Sequence, residues 1–253
     1  MIFRRTVANL RAQNWTAVVI EIAIVIIGVF IGVQAANWNQ QRLEKARAER
    51  LLGELKPSLA SFIDFFETAD TYYATTRRYA DTAFAGWRGD PSVTDEQFVI
   101  AAYQASQVYF LGVNSNSWTT LFGRDQLDNI DDPAIRRGLA ALMTQDFALI
   151  EGGLLTEYRG QVRQVIPEDI QDSIRAKCGD RPVEGRPLTV TLSATCDLDY
   201  PAPRFAEAAA ELRRQPLLVG LLRRHLSEVA SYKDNLAMIG GMTRDIHSRI
   251  GSR

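Results

Sequence analysis

The stretch from Thr16 to Ala36, TAVVIEIAIVIIGVFIGVQAA, constrains this chain more than any other. Its only ionisable side chain is Glu21, and Gln34 is the other polar interruption. At about 1.5 Å rise per residue, a helix of roughly 21 residues spans about 30 Å, the thickness of a bilayer core. Trp15 and Trp38 bracket the run, where interfacial aromatics sit. The expectation is a short tail over 1–15 and a transmembrane helix over 16–38. Two other readings fit the same residues. Arg4, Arg5 and Arg11 precede the run, and Val33-Gln34-Ala35 resembles a signal-peptide cleavage site. A soluble protein can also bury a helix this apolar. The run is longer than the usual signal core, which favours an anchor.

Glu21 is the anomaly in this segment. At roughly 100° per residue, Ala17, Glu21, Gly28, Gly32, Ala35 and Asn39 fall near one line of the helix, and Ile22, Ile26, Phe30 and Val33 lie elsewhere. Gly28-x-x-x-Gly32 has the spacing that lets two backbones approach in lipid. An ionisable group in a membrane helix usually faces protein or water. Glu21, Gly28, Gly32 and Ala35 are therefore expected to form a transmembrane contact, with a second copy or another membrane protein. The plainer alternative is that Glu21 snorkels to the headgroups.

Two signals disagree about which side holds the rest of the chain. The flank after the run carries Arg42, Lys45, Arg47, Arg50 and Lys56, against three arginines before it, and basic flanks lean cytoplasmic. The two cysteines lean the other way. Cys178 and Cys196 both sit in the loop-rich stretch AKCGDRPVEGRPLTVTLSATCDLDYPAP. A disulfide there would close about 20 residues, worth roughly 3 kcal/mol, and would persist only in an oxidising compartment. The cysteines outweigh the flank count, so the bulk is expected on the periplasmic side of a bacterial inner membrane. A zinc site is disfavoured, because there is no C-x-x-C pair and His225 and His247 lie far from the cysteines.

Beyond the run, the pattern is helical. Residues 39–56 are polar with interspersed leucines and read as a helical stalk, and 57–253 read as a helical bundle domain. Pro57 suggests a kink or a new helix start. Leu59, Phe62, Ile63, Phe66, Ala69 and Tyr73 recur at three- and four-residue steps, a helix ending near Gly86 to Pro91. Thr94 or Ser92 caps the next helix. An Asn/Ser loop over 112–117 and a short helix over 118–122 follow. One long helix is expected from Pro133 to Val165, a short one from Glu168 to Lys177, a possible strand over Leu188 to Ala194, and helices over 204–213 and 215–250. The predicted fold is all-α: an N-terminal transmembrane helix continuing through a stalk into an antiparallel bundle, with one short irregular or β excursion.

The segment RRTVANLRAQNWTAVVIEIAIVIIGVFIGVQAANWN resembles the N-terminus of an uncharacterised bacterial family of single-pass membrane proteins, on Glu21, Gly28, Gly32, Gln34, Asn37, Trp38 and Asn39. LFGRDQLDNIDDPAIRRGL is similar to a second family segment at Leu121, Leu127, Ile130, Asp132, Ile135 and Arg136, with Asp125 where a glycine is usual. The resemblance implies an uncleaved anchor. It brings no known activity, so it carries no catalytic residue.

The remaining motifs are weak. Net charge is −1 with both signs mixed along the chain, which gives no case for nucleic acid. No P-loop, dinucleotide fingerprint or catalytic signature occurs. Asp125, Asp128, Asp131 and Asp132 read as capping before Pro133 rather than a calcium loop. The aromatic side chains of residues 72–118, Phe84 and Phe110 among them, read as core, with a small-ligand pocket as the sharper alternative. Arg213-Arg214 and Arg223-Arg224-His225 read as a basic patch on a solvated helix face, or as a contact for anionic lipid or a partner. Together these readings point to a membrane-anchored interaction or assembly protein, not an enzyme, with no cofactor. The alternative is a ligand-sensing module that acts through a membrane partner.

Overall fold

A computed structural model of the chain describes residues 15–111, 127–199 and 201–252. The 112–117 loop, the 118–122 helix and Asp125 lie outside the described residues, as do Arg4, Arg5 and Arg11.

One helix, α1 (Trp15–Trp87), runs for 73 residues, about 110 Å. Its first part packs against nothing else in the chain: from Val19 to Leu43 every side chain is exposed. From Ala48 onward the buried positions advance by alternating steps of four and three: Ala48, Leu52, Leu55, Leu59, Phe62, Phe66, Ala69, Tyr73, Thr76, Ala80 and Ala83. That is the 3.5-residue repeat of a coiled-coil seam. Burial thus begins inside the segment read as a stalk. The helix also runs through Pro57 instead of starting anew there. The carbonyl that loses its partner is that of Gly53, four residues back. Both residues are on the exposed side, where water can take over the bond.

The seam's partner is α8 (Leu217–Gly251), 35 residues long. Leu218, Leu222, His225, Val229, Tyr232, Leu236, Ile239, Thr243 and Ile246 are buried at the same alternating steps. The two helices run antiparallel. Gly251 lies by Lys56 and Gly240 by Phe66. Asp70 pairs with Lys233 at 2.8 Å. The rings of Tyr73 and Tyr232 meet edge-on at 5.8 Å.

Shorter helices fill the flanks of this pair. α2 (Asp95–Gln104) is held by a capping box, with Thr94 taking the Gln97 N–H and the Gln97 side chain taking the Thr94 N–H. Its residues 98–104 are all buried, as expected of a helix sealed on every face. It approaches α1 at Gly86, where a Cβ would sit 2.2 Å from the Phe98 ring. α3 (Pro133–Met143) starts on Asp132, whose carboxylate accepts from the Ala134 and Ile135 N–H groups at 2.7 and 3.3 Å. It packs on α8 at Gly138, beside Ile246. Then come α4 (Phe147–Gly152), α5 (Glu157–Val165), α6 (Glu168–Cys178) and α7 (Ala202–Arg213).

The expected helix over 133–165 is therefore three helices. Asp146 caps α4 by accepting the Leu149 N–H, so the chain leaves helical geometry just before it. Gly152-Gly153 ends α4, and Thr156 opens α5 in extended geometry. The strand expected over 188–194 shrinks to β2 (Val190–Thr191), paired antiparallel with β1 (Arg181–Pro182). Pro182 inside β1 and Pro187 just before β2 have no N–H to give a longer ladder.

Candidate functional site

Two regions stand out: the exposed apolar part of α1, and a groove beside the disulfide-closed excursion.

Among the described residues, one helix carries a stretch long and apolar enough to cross a membrane. Glu21, Gly28, Gly32 and Ala35 all lie in that stretch and are exposed. Gly28 and Gly32 have nothing within 4 Å of where a Cβ would stand. Trp38, at the end of the run, is 68% exposed. At roughly 100° per residue, the Glu21–Gly28–Gly32–Ala35 line lies roughly opposite the line of Ala48, Leu52, Leu55 and Leu59. The small-residue face therefore points away from the chain's own bundle. Gly53 and Pro57 continue that face upward.

The second region is built by the cysteines. Cys178 ends α6, and Cys196 returns after the hairpin. Their sulfurs are bonded, with Cα atoms 5.6 Å apart. Gln104, fully buried on α2, donates to the Cys178 carbonyl at 2.8 Å and seats the bridge. The excursion is then tied to α1 by tyrosines. The Tyr72 hydroxyl donates to Asp180 Oδ1 at 2.8 Å, and Tyr79 donates to the Ser193 carbonyl at 2.8 Å. The Tyr73 hydroxyl donates to the Tyr109 carbonyl and accepts its N–H, at 3.2 and 3.0 Å. The Tyr109 hydroxyl in turn donates to the Leu188 carbonyl and accepts from the Val190 N–H.

Between residues 108–111 and the hairpin lies an open groove of about 700 Å³, lined by Val108, Tyr109, Phe110, Leu111, Asp180 and residues of the 182–190 segment. Leu188 on its rim has φ 73°, in the left-handed region that a leucine rarely adopts. Its exposed side chain and that of Phe110 give the groove apolar edges. Leu111 is fixed from below by the buried Glu151, which accepts its N–H at 2.5 Å and the Tyr232 hydroxyl at 3.4 Å.

The hydroxyls here stay neutral at physiological pH. Burial pushes Tyr109 up to about 12 and raises Tyr72 and Tyr73 above their ordinary value. Desolvation also raises the Asp180 carboxyl, and the Tyr72 donor and the fields of Arg159, Arg163 and Arg181 work against that rise. Arg159 and Arg163 lie deeper, donating to the Ser106 carbonyl and the Gln107 side chain at 2.5 and 2.9 Å. The arrangement offers apolar walls, one carboxylate and neutral hydroxyls. These hydroxyls are already hydrogen-bonded, Tyr72 to the Asp180 carboxylate itself and Tyr109 to the Leu188 carbonyl. No group of three or more His, Cys, Asp or Glu able to hold a metal occurs among the described residues.

The aromatic cluster flagged in the sequence splits by role. Tyr72, Tyr73 and Tyr103 are core, and Tyr109 forms a groove wall. Asp180, Leu188 and Glu151 were missed. The run Pro182…Gly185…Pro187 marks a turn, but nothing local says what it turns toward. No protein-family model, curated protein or solved structure matches the chain, so the family resemblance rests on its motif residues alone.

Proposed function

We propose that this chain is a single-pass, membrane-anchored interaction protein. Residues 16–38 of α1 anchor it in a bacterial inner membrane, and the bundle stands on the periplasmic side. It assembles with a second copy or a membrane-protein partner through Glu21, Gly28, Gly32 and Ala35. The observation that carries this reading is the phase of α1. One helix holds both the exposed apolar run and the coiled-coil seam, and the glycine face points away from the bundle, so a partner helix can dock without meeting the chain's own body. The cysteine pair supports the periplasmic side.

The test is self-association of full-length chains in a membrane two-hybrid assay. Gly28→Ile and Gly32→Ile should weaken association more than Glu21→Gln, because interhelical polar contacts in lipid are worth only about 0.6 to 2 kcal/mol while backbone approach needs the glycines. Glycine variants that associate like wild type would remove the contact face and leave Glu21 as a snorkelling side chain. A reporter active only in an oxidising compartment, fused after Arg253, tests the side.

A second reading, ligand sensing, is favoured by the groove. Its walls are bonded to Tyr72 and Tyr73 of α1, at Asp180 and Tyr109, so an occupant that shifts the hairpin acts directly on the helix that enters the membrane. A bound small molecule copurifying with the chain would favour sensing over assembly alone.

A further inference from the structure

A second groove lies on the flank of the α1–α8 pair, at the end far from the apolar run. It measures about 480 Å³ and is lined by Arg77, Phe84 and Arg88 of α1 and Arg223, Leu226 and Ser227 of α8. Three of its six lining side chains are arginines, and none is acidic. Arg77 is matched by Asp81 at 3.0 Å, one turn along its own helix. Arg88 and Arg223 make no ion pair among the described residues. Asp90 is near Arg88, but its Oδ1 takes the Ser92 N–H and hydroxyl at 2.9 and 2.7 Å. On α8 the next arginine, Arg224, faces Glu228. Arg223 instead lies over the Phe84 ring, 5.9 Å from its centre.

This departs from the pairing rule of the same seam. Positions flanking a coiled-coil core usually carry opposite charges across the interface. Lower on the same two helices they do: Asp70 of α1 meets Lys233 of α8 at 2.8 Å. Here arginines of α1 and α8 line one groove with no acidic residue in its lining, and like charges gathered this way cost free energy that a bound anion would offset. Guanidinium groups offer paired N–H donors that fit phosphate and carboxylate oxygens, and Ser227 adds a hydroxyl. Phe84 and Leu226 supply an apolar wall beside the charges. The groove lies about 70 Å along α1 from Ala36, so headgroups at the end of the apolar run are out of reach.

We propose that this groove binds a small soluble organic anion, a phosphate or carboxylate carrying an apolar or aromatic part. Arg88 and Arg223 hold the anionic group, Arg77 and Ser227 assist, and the apolar part lies on Phe84 and Leu226. This proposal is independent of the anchor and of the first groove.

The experiment is calorimetric titration of the full chain in nanodiscs with phenyl phosphate, benzoate, inorganic phosphate and benzylamine. Phenyl phosphate or benzoate should bind saturably and more tightly than inorganic phosphate, and benzylamine should not bind. Arg223→Gln and Arg88→Gln should each weaken binding about tenfold or more. Both residues are exposed, so the variants keep the fold, and unchanged thermal unfolding confirms it. Arg214→Gln, whose residue pairs with Glu211, should bind like wild type. The proposal is overturned if neither aromatic anion saturates below about 10 mM, the weak limit of a specific site. It is equally overturned if binding survives in both arginine variants, or if benzylamine binds as well as the anions.

Discussion

Acid should unfold this protein through His225. The residue sits in the α8 seam, 1% exposed, with Nδ1 at 2.8 Å from the Thr156 hydroxyl and its ring 5.7 Å from that of Tyr158. Burial, helped by the field of Arg159 and opposed by a backbone hydrogen bond at Ala105, lowers its pKa from 6.5 to about 4. The folded chain therefore resists a proton that the unfolded chain accepts. Between the two values the unfolded state binds more protons, so stability falls as pH falls from about 6.5 toward 4. A difference from 6.5 to about 4 is worth about 3 kcal/mol once both states are protonated. At pH 5 about 2 kcal/mol of that is already lost. Carboxylates titrate nearby, so the readout is a difference. Urea unfolding of the full chain in detergent is followed by tryptophan fluorescence at pH 7 and pH 5, for wild type and His225→Leu. The variant loses the Thr156 contact and is less stable at pH 7, by about 1 kcal/mol. Wild type should lose about 2 kcal/mol more than the variant between the two pH values. Parallel losses would refute the reasoning, because a histidine that titrates alike in both states contributes no slope.

Cys178→Ser should lower stability by about 3 kcal/mol, the loop-closure value for this span, and should loosen the hairpin so that hydrogen exchange speeds up at Val183 and Thr189. Alkylation in freshly lysed cells should find neither cysteine free. Gly86→Ala should destabilise by about 1 to 3 kcal/mol, since its Cβ would overlap the Phe98 ring, and thermal unfolding reads this directly. Pro57→Ala should stabilise α1 by more than about 1 kcal/mol, because it restores the bond to the exposed Gly53 carbonyl, and an unchanged melting temperature would contradict the account of the unbroken helix.

The sequence by itself determined the helical class, the long apolar run, a cap at Thr94 or Ser92 and another among the aspartates before Pro133, and which cysteines could meet. Each of these is local. A helix writes its period into a few turns, and a cap is a side chain bonding a backbone N–H two or three residues on. The three-helix break after Met143 was also written locally, in Asp146 and Gly152-Gly153, but the apolar spacing across it hid those signals. Tertiary structure alone decided the rest. The register that sets Asp70 against Lys233, and gathers Arg77, Arg88 and Arg223 around one groove, depends on how two helices slide past each other, and a 3.5-residue repeat fits several registers equally well. The first groove exists because Tyr109 holds the hairpin at Leu188, a contact across 79 residues. The direction of the glycine face carries meaning only once Ala48, Leu52 and Leu55 show where the bundle lies. Local chemistry sets the shape of each helix. The side chains that meet are chosen by burial of one helix against another, and that choice involves residues far apart in the chain.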